Sequence, residues 1–305
     1  MKFLITLPDH PYYLWQMLVQ INNFRKLGLE NDTIYVIGKT GIQMSSTLKN
    51  IMKNGKIKSN FYIFNDERKN KRYSASLRPF LIKKLFQEFT EKQNDIYFYT
   101  DPDVIFINKI NFNELLNDNV WYLSDTRSYL NSAYIKSKGE ELFIEMCNIV
   151  KILPEIVQNN DNYAGGAQLL IKNTNVDFWE KVENDSEDLY KFMKTTEYKY
   201  NPNYPIQSWT AEMWATLWNA WLWGNETKIY DDFNFSCATD NIEKWNITNI
   251  YHNAGAVIDD GTYFLKTKYQ LSPFNKIIEC SNKYCSFNYL KEVRDTEINF
   301  KHIIF

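Results

Sequence analysis

Tyr97-Phe98-Tyr99-Thr100-Asp101-Pro102-Asp103-Val104-Ile105-Phe106 decides how this 305-residue chain is read. An apolar, aromatic run stops at two carboxylates one residue apart, and a second apolar run follows. Carboxylates among apolar neighbours are costly unless they are paired or hold a metal. Asp101 and Asp103 therefore read as ligands for a divalent cation at a strand end, and such a cation suits a diphosphate. Asp-Pro-Asp is also good turn chemistry, so a plain tight turn is the competing reading. An aspartyl phosphotransferase would carry its pair after the first strand, with Gly-Thr behind the second Asp. Here the pair lies mid-chain and Val104-Ile105 follow it.

Upstream, residues 2–7 read as a first strand closed by Pro8. Asp9-His10-Pro11 opens a helix, with Asp9 as the expected cap and Leu14, Leu18 and Ile21 at helical spacing up to Gly28. A strand over 33–37, a polar helix over 45–52 and a strand over 61–64 follow. Residues 67–76 are charged and expected to form a mobile loop. A helix over 79–89 then leads into a strand over 96–99. This alternation predicts an α/β fold with a central, mostly parallel sheet flanked by helices. Ligands bind such sheets at the carboxyl ends of strands, where the two aspartates fall. Downstream come a strand over 120–123, a helix over 140–152 and a Gly-Gly turn at Gly165-Gly166 feeding a buried strand. A helix over 176–194 follows, then a Trp-rich helix capped by Ser208 and closed by Gly224. Short strands over 233–237 and 249–252 precede a mixed, charged, helical or irregular tail.

Composition narrows the classes. The chain is 44% hydrophobic, enough for a sizeable core, and its net charge of -2 gives no nucleic-acid footprint. Lys69, Lys71, Arg72 and Arg78 form the one basic cluster, read as a solvated face or a functional strip. The cysteines Cys147, Cys237, Cys280 and Cys285 are scattered and suit a reducing compartment; only Cys280 and Cys285 are close, with no second pair to complete a zinc site. The run MKFLITLP is too short for a signal peptide, and no stretch reaches the ~20 apolar residues of a membrane span. A cytoplasmic protein is expected. Aromatics make up 16% of the chain, with nine Trp, which leans toward ligands with stackable faces such as sugars and nucleobases.

Several residues are candidates for the chemistry. His252, in IYHNAGA, would supply a third ligand to the cation, and imidazole with carboxylates favours Mn²⁺ over Mg²⁺ or Ca²⁺. Its alternative is a histidine satisfied in the core. Gly165 and Gly166 serve either close ligand approach or a tight turn. Gln168 would bond a sugar hydroxyl or face solvent. Glu212, among Trp209, Trp214 and Trp218, reads as a general base or hydroxyl acceptor in a sugar site, or as ordinary helix-start charge. Arg78 would steer a diphosphate or is a surface charge.

Taken together, FYTDPDVIF, LRPFLIKKLF, YAGGAQLLIKN and IYHNAG make the chain resemble the nucleotide-sugar glycosyltransferases of the GT-A fold with a DxD motif. IYHNAG resembles the late metal-binding His segment of the glycogenin-like group; YAGGAQ and WTAEMWA resemble the hydroxyproline O-glycosyltransferase relatives. The resemblance covers residues 1–260, leaving 261–305 as a C-terminal extension. It implies a Rossmann-like sheet and a Mn²⁺ ion, with Mg²⁺ as the alternative, on Asp101, Asp103 and His252 against a UDP-sugar. It implies Thr6-Leu7-Pro8 beside the base, Arg78 on the donor, Gly165, Gly166 and Gln168 near the transferred sugar, and Glu212 toward the acceptor. The family's His-x-x-Gly-x-x-Lys-Pro-Trp ending is absent: Ala256, Val257 and Ile258 stand where its phosphate-binding lysine would. The expected activity is hexosyl or pentosyl transfer to an acceptor hydroxyl, with retention favoured by the late His. An inverting enzyme would use Glu212 as base. The acceptor would be a glycan, a protein or a hydroxymethylated DNA base, the last implying a phage product acting in the bacterial cytoplasm. Competing hypotheses are a non-catalytic carbohydrate-binding relative and a metal-dependent phosphotransferase or nuclease.

Overall fold

The computed structural model describes residues 1–303. Its strands are β1 (Lys2–Pro8), β2 (Thr33–Lys39), β3 (Asn60–Asn65), β4 (Tyr97–Tyr99), β5 (Val104–Phe106), β6 (Trp121–Asp125), β7 (Gly165–Ile171), β8 (Thr227–Ile229), β9 (Phe235–Cys237) and β10 (Ile250–His252). Seven of them make up the mixed, mostly parallel sheet of an α/β fold, and β5-β10-β9 make a small second sheet. The chain divides into two compact units.

One unit comprises residues 2–65, 100–111 and 232–305. Its strands run β3-β2-β1, all parallel, and its second sheet is β5-β10-β9. The cores of β1 and β2 are buried on both faces, which is why they read as continuous apolar runs without alternation. The helix Pro11–Lys26 is capped by His10 and not by Asp9: His10 Nδ1 accepts from the Tyr12 amide at 3.2 Å. Asp9 instead accepts from Ser45 N (2.8 Å) and Ser45 Oγ (2.5 Å), fixing the residue that caps the helix Ser46–Met52. Residues 261–303 belong to this unit. They contain a helix, Cys285–Asn299, that the sequence reading left undefined; Tyr289, Leu290 and Val293 pack with Trp15, Val19, Tyr251 and Phe264 in one buried cluster.

The other unit comprises residues 66–99 and 112–231, with Met1. Its strands run β4-β7-β6-β8, and β7 is antiparallel to both neighbours. The Gly-Gly segment is the start of β7 and not a turn. A Cβ on Gly165 would stand 2.6 Å from Leu123 Cβ and from the Ser124 carbonyl, and one on Gly166 would stand 2.8 Å from Met213 Cε. Packing inside the sheet therefore demands Gly165, whereas Gly166 meets only the flexible tip of Met213 on a helix. The register slips between Leu123 and Ser124, and Ala167 takes a left-handed φ of 63°, so β7 is bulged just before Gln168. Ser208 lies in a short 3₁₀ turn and makes no capping bond; the helix that follows is Ala211–Leu222. Segment 67–76 is tied down where a mobile loop was expected. Arg68 is buried, holds Asp66 with two nitrogens, and donates to Tyr73 O and Ser76 Oγ. Among the described residues no helix is long and apolar enough to cross a membrane.

Candidate functional site

The two carboxylates sit on a turn held from behind by the first helix. Gln20 Nε2 donates to the carbonyls of Asp101 (2.8 Å) and Val104 (2.9 Å). One turn further along the same helix, Asn23 exchanges two hydrogen bonds of 2.9 Å with the backbone of Phe106. Buried amides are favourable only when satisfied, and these find their partners in the backbone of segment 101–106. In the small sheet β10 runs antiparallel to β5, with His252 opposite Val104, and Asn253 N donates to Asp103 O at 3.0 Å. This ladder delivers His252 to the aspartates across about 150 residues of sequence.

The resulting cluster is tight. One ligand atom from each of Asp101, Asp103 and His252 lies within 4.8 Å of the others. His252 Nε2 is 3.4 Å from Asp103 Oδ1 and 3.8 Å from Asp101 Oδ2. Asp103 is almost fully buried, with 6% of its side chain exposed, whereas Asp101 is 39% exposed. Two carboxylates and an imidazole are an O,O,N donor set that fits a divalent cation of the Mn²⁺ type.

A fourth charged group, which the sequence reading did not find, completes the cluster. Lys266 Nζ bonds Asp103 Oδ2 directly. No lysine stands at 256–258, where the resemblance would put one; Lys266 lies eight residues beyond Ile258. Its backbone is anchored on both sides: Phe264 is buried and its amide donates to Ser286 Oγ (3.2 Å), and Trp15 Nε1 donates to Tyr269 O (2.9 Å).

The charges shift one another. Burial alone would raise the Asp103 carboxyl, but Lys266 and His252 outweigh it and hold it well below the usual carboxylate range. Burial would lower His252, and Asp103 outweighs that and raises it. Lys266 follows the same pattern and is also raised, again by Asp103 against burial. The signs define a pH window. Stabilisation by His252 is complete below its unfolded value of 6.5 and is lost as pH rises through the raised folded value. Stabilisation by Asp103 is present above its unfolded value of 3.8 and is lost as pH falls through the depressed folded value. In chelator-treated protein, the melting-temperature gap between wild type and His252→Gln should be widest below the unfolded value of 6.5 and shrink as pH rises through the raised folded value. A gap independent of pH would contradict this pairing.

In the other unit a second buried pair forms. Arg78 holds Glu212 with two nitrogens, Nε lying 2.7 Å from Oε1. Thr216 Oγ1 also donates to Glu212 Oε1 (2.7 Å). The guanidinium stacks on Tyr99, 4.4 Å from the ring centroid. Tyr73 OH accepts from the Glu212 amide (2.8 Å) and donates to Trp209 O (2.7 Å). Glu212 is thus committed to Arg78 and Thr216. Both of its oxygens are already occupied, which counts against the expected base role. The aromatic setting also differs from the expected sugar cradle: of its three tryptophans, Trp214 and Trp218 are fully buried core, and Trp209, 60% exposed, presents a face to solvent.

Gln168 is fully buried, and neither side-chain Oε1 nor Nε2 has a hydrogen-bond partner. A buried amide left wholly unsatisfied is rare and points to a partner of another kind, such as water or a ligand. Thr6 and Leu7 are buried within β1, and Pro8 is half-buried at its end.

No protein-family profile matches the sequence, and no curated protein matches it. Solved structures do. An active-site mutant of LgtC, in which a glutamine is replaced by glutamate, superposes with a TM-score of 0.50 at 12% identity, over 97% of this chain and 96% of that one. LgtC is a galactosyltransferase, and its structure with donor and acceptor sugar analogues superposes at 0.45 with the same identity and coverage. The bifunctional glycosyltransferase WbbM superposes at 0.48 and 10% identity, over 96% of this chain. This chain spans about half of WbbM, 51% of its length. At such identities the likeness is one of architecture: the α/β fold of this chain is the fold of the galactosyltransferase LgtC.

Proposed function

We propose that this chain is a metal-dependent glycosyltransferase that moves a sugar from a nucleotide-sugar, with UDP as the nucleotide, to an acceptor hydroxyl. The observation that carries the reading is the convergence of Asp101, Asp103 and His252 on one point in a fold shared with a galactosyltransferase. A divalent cation held by these three side chains would neutralise charge growing on the leaving diphosphate. The two aspartates serve as ligands and take no proton. Gln20 and Asn23 fix the turn that presents them. Lys266 brings a second positive charge to the same place, and its side chain is 25% exposed, so its ammonium can meet a phosphate from the solvent side.

The Arg78–Glu212 pair favours retention over inversion, because inversion needs a free base and Glu212 is engaged. The unsatisfied amide of Gln168 supports a part in holding the transferred sugar.

The test is turnover of a panel of nucleotide-sugars, read as free nucleoside diphosphate with Mn²⁺ and with chelator, together with thermal shift by each donor. Mn²⁺-dependent release from one UDP-sugar, lost in Asp101→Asn, is expected. Glycan binding with no turnover of any donor would favour the carbohydrate-binding alternative. Phosphate release from monoesters or DNA would favour the phosphotransferase or nuclease alternative.

A further inference from the structure

Both oxygens of Asp103 are engaged by cationic or polar partners of the protein itself: Oδ1 faces His252 Nε2 and Oδ2 bonds Lys266 Nζ. A divalent cation drawing on the same carboxylate must share it with that ammonium or displace it. Two positive charges on one buried carboxylate repel, and the buried setting screens them little. Lys266 has somewhere to go. Its backbone is pinned through Phe264 and Tyr269, but four rotatable bonds separate that backbone from the ammonium. The Lys266 side chain is 25% exposed, while that of Asp103 is 6% exposed, so the swing leads from the buried carboxylate toward solvent.

We propose that Lys266 is an exchange residue coupling cation and diphosphate binding: it competes with the cation for Asp103, and a diphosphate offers it a replacement partner. The inference rests on the reading of the Asp101–Asp103–His252 cluster as a cation site. Two consequences follow by linkage. The cation binds weakly alone and more tightly with nucleoside diphosphate present, and the diphosphate gains by the same factor from the cation. Without the ammonium the cation meets an uncontested carboxylate, so it binds more tightly alone and gains less from the diphosphate.

The experiment measures Mn²⁺ affinity by the EPR signal of free Mn²⁺, in wild type and Lys266→Met, with and without UDP. Lys266→Gln serves as the second variant, and circular dichroism checks that each is folded. In wild type, UDP should tighten Mn²⁺ by about tenfold or more, within the usual range of coupling between sites. In Lys266→Met, Mn²⁺ without UDP should bind about tenfold more tightly than in wild type, and the effect of UDP should fall below about threefold. Mn²⁺ binding in wild type with unchanged affinity and coupling in both folded variants overturns the exchange role while leaving the cation site standing. No Mn²⁺ binding to wild type, with or without UDP, overturns both.

Discussion

Asp103→Asn should abolish donor turnover and also weaken the fold, and the two losses have separate causes. The catalytic loss would follow from removing one charged group from the proposed three-ligand cation site. Cation stabilisation of a leaving diphosphate is worth several kcal/mol, so a fall of roughly a thousandfold is expected. The loss of stability follows from what Asp103 holds in place. Lys266 and His252 both lean on its buried carboxylate, and a neutral amide leaves them with Asp101, which is 39% exposed. Breaking a buried ion pair from one side typically costs about 3–5 kcal/mol. Asp101→Asn is the informative companion. It removes a proposed ligand at the more exposed carboxylate, so turnover should fall by a similar factor while urea unfolding shifts by less than about 1 kcal/mol. Equal destabilisation by the two variants would show that the charge balance is not centred on Asp103.

The second large effect is expected at Arg78 and Glu212. Their side chains are 11% and 3% exposed, and either single substitution, Arg78→Met or Glu212→Gln, strands a buried polar group. Each should lower unfolding stability by about 3–5 kcal/mol. Arg78→Met with Glu212→Met removes both charges together, and apolar side chains of similar volume should recover most of the loss, to within about 1–2 kcal/mol of wild type. Urea denaturation of wild type, Arg78→Met, Glu212→Met and the Met pair gives the coupling, with Glu212→Gln measured beside them. The same set separates scaffold from chemistry. A Glu212→Gln protein as stable as wild type, yet unable to transfer to acceptor while still hydrolysing donor, would return Glu212 to the role of base.

The parts of this molecule that were legible in the sequence are those encoded locally. An apolar strand broken by Asp-Pro-Asp announces itself within ten residues. His252 stands out because histidine is rare here, three in the chain, and follows a short apolar run. Lys266 was not legible for the opposite reason. It lies among many lysines in an irregular stretch, and only the packing of Phe264 and the Trp15–Tyr269 bond say that this one reaches Asp103. The tryptophans misled because burial is not written in side-chain type: Trp214 and Trp218 fill the core while Trp209, five residues before Trp214, is exposed. The helix Cys285–Asn299 was hidden because its apolar stripe of Tyr289, Leu290 and Val293 is narrow and set among charges. Gly165 looked like part of a turn because a demand for no Cβ is the same signal whether a ligand or a neighbouring strand makes it.

The amides of the first helix carry a consequence for how this protein can vary. Gln20 and Asn23 are three residues apart on a helix, and they read off carbonyls at 101, 104 and 106 on an extended segment. The match depends on count as well as on chemistry. A substitution between them leaves the spacing intact, whereas one residue inserted or deleted would rotate everything beyond it by about 100° and detach one amide from its carbonyl. Between positions 20 and 23, and again between 101 and 106, the chain should accept changes of residue far more readily than changes of length.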